Sequence, residues 1–175
     1  MSDQIFEKVT SEEDFFKKIA SKIPGFKGYI ESQARRDSDK LLRETIATGF
    51  SQQEQRIATI QRDMISQGEI AYVDDLEASA IKLRTFADRI RRATRGYAGL
   101  FDAVKINPEE LNMIYEYDAA MLDLVDEVSR AIDNVEASLG SDGLPAALRN
   151  LRSVAQKAID TFDRRKEVIL GIVSK

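Results

Sequence analysis

Cysteine, histidine and tryptophan are absent from the sequence. Without Cys there are no disulfides and no thiolate metal sites. Without His the commonest metal ligand and the commonest general base are missing. Serine, cysteine and zinc catalysis in their usual forms therefore have no residues to run on. The helical di-iron site, which needs Glu-x-x-His pairs, has no ligand set. No cofactor or metal is expected, and no enzymatic activity.

Proline and glycine are scarce, at three and nine residues. Long helices meet few breakers in such a chain. No apolar run reaches the roughly 20 residues needed to cross a bilayer. The start, Met1-Ser2-Asp3-Gln4-Ile5-Phe6-Glu7, lacks the basic and apolar regions of a signal peptide. The expected location is the cytoplasm.

What is present is charge and helical periodicity. Charged residues make up 32% of the 175, with a net charge of −4. That length suits one domain, which at this size buries roughly two-thirds of its unfolded surface. We expect a single helical-bundle domain over 1–175, with a short N-terminal helix and turn in 1–26 and four long helices in 27–175.

The first helix is expected from about Ser11 to Lys22, stopped by Ile23-Pro24-Gly25. The second runs from about Lys27 to Gln67. Its seam is Ile46, Phe50, Gln53, Ile57, Ile60 and Met64, stepping by four and three as packed long helices do. The third starts near Ala71–Asp74, with the seam Leu76, Ala80, Leu83, Ala87, Ile90, Thr94 and Tyr97 flanked by Phe86. The fourth has an N-cap at Asn107, Pro108 at the first helical position and Glu109-Glu110 in the first turn. Its seam is Leu111, Ile114, Asp118, Met121, Val125, Val128, Ile132, Val135 and Leu139. After Gly140-Ser141-Asp142-Gly143, the fifth reads Leu144, Leu148, Leu151, Ala155, Ala158, Phe162, Arg165, Ile169 and Ile172. Short connections predict antiparallel sequential neighbours. The expected fold is all-α: an elongated antiparallel four-helix bundle, up-down-up-down with coiled-coil-like packing, plus the short N-terminal helix.

Helices four and five define a register. With Leu139 opposite Leu144 across the turn, Val135 falls opposite Leu148 and Ile132 opposite Leu151. The same register sets Val128 against Ala155, Val125 against Ala158 and Met121 against Phe162. The next level sets Asp118 against Arg165, each the one charged residue on its seam. Isolated charges on apolar stripes are costly to bury, and facing each other they offset much of that cost. A structural Asp118–Arg165 ion pair is predicted. In helices two and three, Met64 opposite Leu76 sets Gln53 against Ala87 and Phe50 against Ile90.

Three surface features are candidates for function. Arg35, Arg36, Lys40, Arg43, Arg91, Arg92 and Arg95 form an expected basic patch at one end. The fifth helix adds Arg164, Arg165 and Lys166 there. Glu69, Asp74, Asp75, Glu77, Asp133, Glu136 and Asp142 gather at the other end, so charge is expected to separate lengthwise. A solvated face accounts for most such runs. The functional reading is docking to an acidic partner or an anionic lipid surface. Tyr97, Phe101, Tyr115, Glu116, Tyr117 and Asp118 form an aromatic and acidic cluster, more simply read as plugs closing a bundle end. A carboxylate site for Mg²⁺ or Ca²⁺ from Glu109, Glu116 and Asp118 has no loop spacing behind it. The segment Ile23-Pro24-Gly25-Phe26-Lys27-Gly28-Tyr29 reads as an aromatic-packed turn or a docking corner.

That segment, the run Arg35-Arg36-Asp37-Ser38-Asp39-Lys40-Leu41-Leu42-Arg43 and the run Arg95-Gly96-Tyr97-Ala98-Gly99-Leu100-Phe101-Asp102-Ala103-Val104-Lys105 together resemble uncharacterised bacterial all-helical proteins. The resemblance covers about half the chain. It implies a bacterial, non-enzymatic helical protein and carries over no functional residues. The functional expectation is a protein-interaction or scaffold bundle that binds a protein partner or a second copy. The alternatives are a peripheral membrane-associated stress or assembly factor binding anionic surfaces, and a carboxylate-metal or small-ligand binding protein. Nucleic acid is disfavoured by the acidic balance and the lack of a reader motif.

Overall fold

In a computed structural model that describes residues 14–28, 32–93 and 107–173, short turns follow Ser66 and Ser138, and no strand occurs among the described residues. Helix α1 covers 14–22, α2 Ser32–Ser66, α3 Val73–Arg92, α4 Pro108–Ser138 and α5 Leu144–Val173. None of them is long and apolar enough to cross a membrane.

The helix boundaries follow local chemistry. Asn107 Oδ1 accepts the Glu110 backbone N–H at 2.9 Å, while Glu110 Oε2 accepts the Asn107 N–H at 3.1 Å. This reciprocal cap, with Pro108 behind it, fixes where α4 starts. Helix α2 begins later than the expected Lys27, because residues 26–28 are not helical and Gly28 has φ +83°. An ideal Cβ on Gly28 would meet Tyr115 Oη at 2.5 Å, so both the backbone angle and the close approach call for glycine. The first turn expected around Ser11, and the expected end of the third helix with Thr94 and Tyr97, lie outside the described residues.

Side-chain contacts give the helix directions. Glu77 accepts from Gln61, Glu54 pairs with Arg84 at 2.5 Å and Ser51 accepts from Arg91 at 2.8 Å, so α2 and α3 are antiparallel. Lys157 pairs with Glu127 and Arg165 with Asp118, so α4 and α5 are antiparallel too. Between these hairpins, like-directed helices are neighbours. Gly49 and Arg56 of α2 meet Val125 and Asp133 of α4. Asp75, Lys82 and Arg89 of α3 meet Arg152, Gln156 and Asp163 of α5. The expectation that sequential helices sit side by side therefore holds within the hairpins. Across them, α4 packs on α2 and α5 on α3, more sparsely than the partners within each hairpin.

This arrangement widens the buried arc of each helix, since each faces two neighbours. All nine expected seam positions of α5 are buried. Helix α4 adds Tyr115, Ala119, Leu122, Leu124 and Ala131 to its seam. Phe86, expected on the flank, is fully buried. Its ring stands edge-on to Phe50 of α2 at 4.7 Å and to Phe162 of α5 at 5.8 Å. Such pairs add roughly 0.5–1.5 kcal/mol each beyond the area they bury. Gln53, the polar member of the α2 seam, is half-buried and accepts from Arg56 Nη1 at 3.3 Å. Arg56 continues to Ser129 Oγ at 3.0 Å and Asp133 Oδ1 at 2.6 Å, tying α2 to α4.

Helix α1 lies against the bundle. Ile19 and Ile23 are buried, and Phe16 and Phe26 pack around Tyr115 at centroid distances of 6.1 and 6.3 Å. Lys18 pairs with Asp123, and Lys22 pairs with Asp126 at 2.7 Å and Asp123 at 3.2 Å.

Candidate functional site

The charged interior lies where α2, α4 and α5 meet. Arg165 Nε is 2.5 Å from Asp118 Oδ1, and its Nη2 is 2.9 Å from Asp39 Oδ1. Asp39 Oδ2 in turn accepts from Arg43 Nε at 2.8 Å. Asp118 is 0% exposed and Arg165 1%. Asp39 and Arg43 are buried as well. Two carboxylates and two guanidiniums give a network with no net charge, which is the arrangement that low-dielectric surroundings tolerate. The Asp118–Arg165 contact is one half of it.

Asp39 and Arg43 lie on the α2 seam. Continuing that seam from Ile46 towards the N-terminus by three and then four residues arrives at Arg43 and Asp39. The rhythm alone could have found them, but the surrounding run of charges hides it.

Of the expected basic patch, the structure describes the side chains of Lys40, Arg43, Arg91 and Arg92. Arg43 faces inward and is no part of a surface. Lys40 is exposed beside Glu44 at 3.9 Å. Arg91 reaches Ser51 and the Asp88 carboxylate. Arg92 is exposed. The side chains of Arg35 and Arg36, and Arg95 altogether, lie outside the described residues. At the other end, Asp75 is paired with Arg152, and Asp133 and Glu136 with Arg56. The lengthwise separation of charge is therefore partly cancelled by ion pairs between helices. The hydrogen bond to Asp133 does most to hold the Arg56 guanidinium above its ordinary value, outweighing the opposing effect of burial.

Of the aromatic and acidic cluster, Tyr115 is buried against Phe16 and Phe26, and Asp118 is bound to Arg165. Glu116 is exposed, and Tyr97 and Phe101 lie outside the described residues. No group of three or more Asp or Glu among the described residues is placed to hold a metal ion.

Open space lies along the two seams between like-directed helices. A groove of about 570 Å³ on the α2/α4 seam is lined by Lys22, Thr45, Gly49, Leu122, Val125 and others. A second, of about 680 Å³, runs along α5 beside Lys82 of α3. Its lining includes Arg149, Arg152, Lys157 and Arg164. Sequence reading missed both grooves, because they depend on which helices are neighbours.

No protein-family model, curated protein or solved structure matches the chain.

Proposed function

We propose that this chain is a non-enzymatic interaction module, an up-down-up-down helical bundle that receives partner segments along its outer seams. The observation that carries this reading is the pair of open grooves, one along each seam between like-directed helices. The hairpin seams bury apolar stripes against each other, as the buried positions of α5 and α4 illustrate. The seams between hairpins are bridged by long polar side chains such as Arg56, Lys82 and Arg152, which leave room between them. A groove between helices is a common seat for an added helix or extended segment.

Light scattering on the purified protein, combined with affinity capture and identification of bound proteins, tests this reading. The expected result is either a concentration-dependent oligomer or a stoichiometric partner. A strict monomer at every concentration that also captures nothing above background rejects it.

A further inference from the structure

The groove along α5 has a chemical signature of its own. Its lining positions on α5 step by three and one from Arg149 to Arg164, which places them on one face of the helix. Lys82, Arg149, Arg152, Lys157 and Arg164 contribute five cations against one acid, Asp160. Three of the five are already engaged: Arg152 with Asp75 at 2.6 Å, Lys157 with Glu127 at 2.9 Å and Lys82 with Gln156 at 2.8 Å. Arg149 and Arg164, at the two ends of the strip, are exposed and pair with no acid among the described residues.

We propose that this strip docks an acidic α-helical segment of a partner protein. The inference rests on the interaction reading above and names the partner's chemistry. Arg149, Lys157 and Arg164 recur at about two helical turns, roughly 11 Å at 1.5 Å per residue. A helix laid along the groove with Glu or Asp at heptad spacing brings its acids level with each of them. Ser153, Gln156 and Thr161 lie between the cations and suit a polar helix face. The spacing fits nucleic acid poorly, since a single strand carries a charge about every 3.4 Å. No large apolar side chain lines the strip to enter a bilayer, as a membrane-surface helix requires. Charge complementarity of this kind acts mainly on association rate and selectivity and is weakened by salt.

The test uses the full chain and a fluorescent synthetic helical peptide with Glu at heptad positions, beside its Gln counterpart. Anisotropy is read at low and at moderate salt. The Glu peptide is expected to bind and the Gln peptide to bind at least tenfold more weakly, with affinity falling as salt rises. Arg149→Glu/Arg164→Glu is expected to lower affinity about tenfold. Both side chains lie outside the internal ion pairs, so the circular-dichroism melt of this variant should match the parent. Arg62→Glu, on α2 and outside the groove lining, should bind as the parent does. Absence of Glu-peptide binding at low salt overturns the proposal. So does binding unchanged in the double variant, or tighter binding of a single-stranded oligonucleotide or of anionic vesicles through the same two arginines. A natural partner that binds the double variant as well as the parent removes the strip and leaves the interaction reading standing.

Discussion

Gly49 of α2 faces Val125 of α4 so closely that a methyl group added at Gly49 would lie 2.8 Å from Val125 Cγ1. No real pair of carbons sits that close, so this glycine sets how near the two hairpins approach each other.

Gly49→Ala should therefore destabilise the fold. Alanine is favoured over glycine by up to about 1 kcal/mol inside a helix, and the clash has to exceed that gain. The branched Val125 has little rotamer freedom with which to move aside. Urea unfolding is expected to show a net loss for Gly49→Ala, and Gly49→Ala/Val125→Ala should be more stable than the two single changes predict by addition. An additive cycle would show that the helices simply separate.

Removing Arg165 should be far more damaging than removing the pair. Arg165→Met leaves Asp118 buried beside no cation from α5, at a cost of roughly 3–5 kcal/mol. Asp118→Leu/Arg165→Met should recover most of that loss, since Asp39 keeps Arg43 as its partner. Denaturant midpoints of the three proteins decide the matter. Equal losses in the single and double variants would mean that shape, not charge, governs this position.

The attachment of α1 should depend on pH. Burial pulls the Asp123 carboxyl upward, but hydrogen bonds and charge from Lys18 and Lys22 outweigh it and hold the group below its ordinary value. A depressed carboxyl contributes stability above its unfolded pKa of about 3.9 and loses it as pH falls through the folded value. Burial pulls Lys22 down, and its bonds to Asp126 and Asp123 outweigh that and raise it. Its contribution is complete below about 10.4 and fades as pH rises through the higher folded value. Protection of amides 14–22 against hydrogen exchange, taken relative to the intrinsic rate at each pH, should fall at both extremes and with added salt. Asp123→Asn should remove the acid limb.

Asn107→Ala deletes one side of the cap on α4, and a loss of about 0.5–2 kcal/mol in thermal or urea unfolding is expected. Asn107→Asp should retain most of the stability, because the carboxylate accepts the same Glu110 N–H and suits the helix N-terminus.

Periodicity made one neighbour of each helix legible. The α5 seam is buried along its whole length because it faces the partner that the turn at Gly140 to Gly143 dictates. Phe86 was legible only as a flank and Leu122 not at all, because each faces a second neighbour, and a heptad seam describes only one contact line. Asn107 and Pro108 were readable because capping is local, decided within four residues. Asp118 and Arg165 were readable as single charges on apolar stripes. Asp39 and Arg43 were masked by Arg35, Arg36, Asp37, Lys40 and Glu44 around them, where composition gives no sign of which side chains turn inward. The grooves were beyond reach, since no local signal states that α2 lies beside α4.

That pairing of like-directed helices has an electrical consequence at the molecule's tips. Each helix carries about half a positive charge at its N-terminus and half a negative charge at its C-terminus. Where every neighbour is antiparallel, these alternate around the tip and cancel at short range. Here the N-termini of α3 and α5 share one half of a tip, and the C-termini of α2 and α4 share the other. A molecule approaching end-on meets a field that points across the tip, and it has a preferred rotational setting before any side chain is touched.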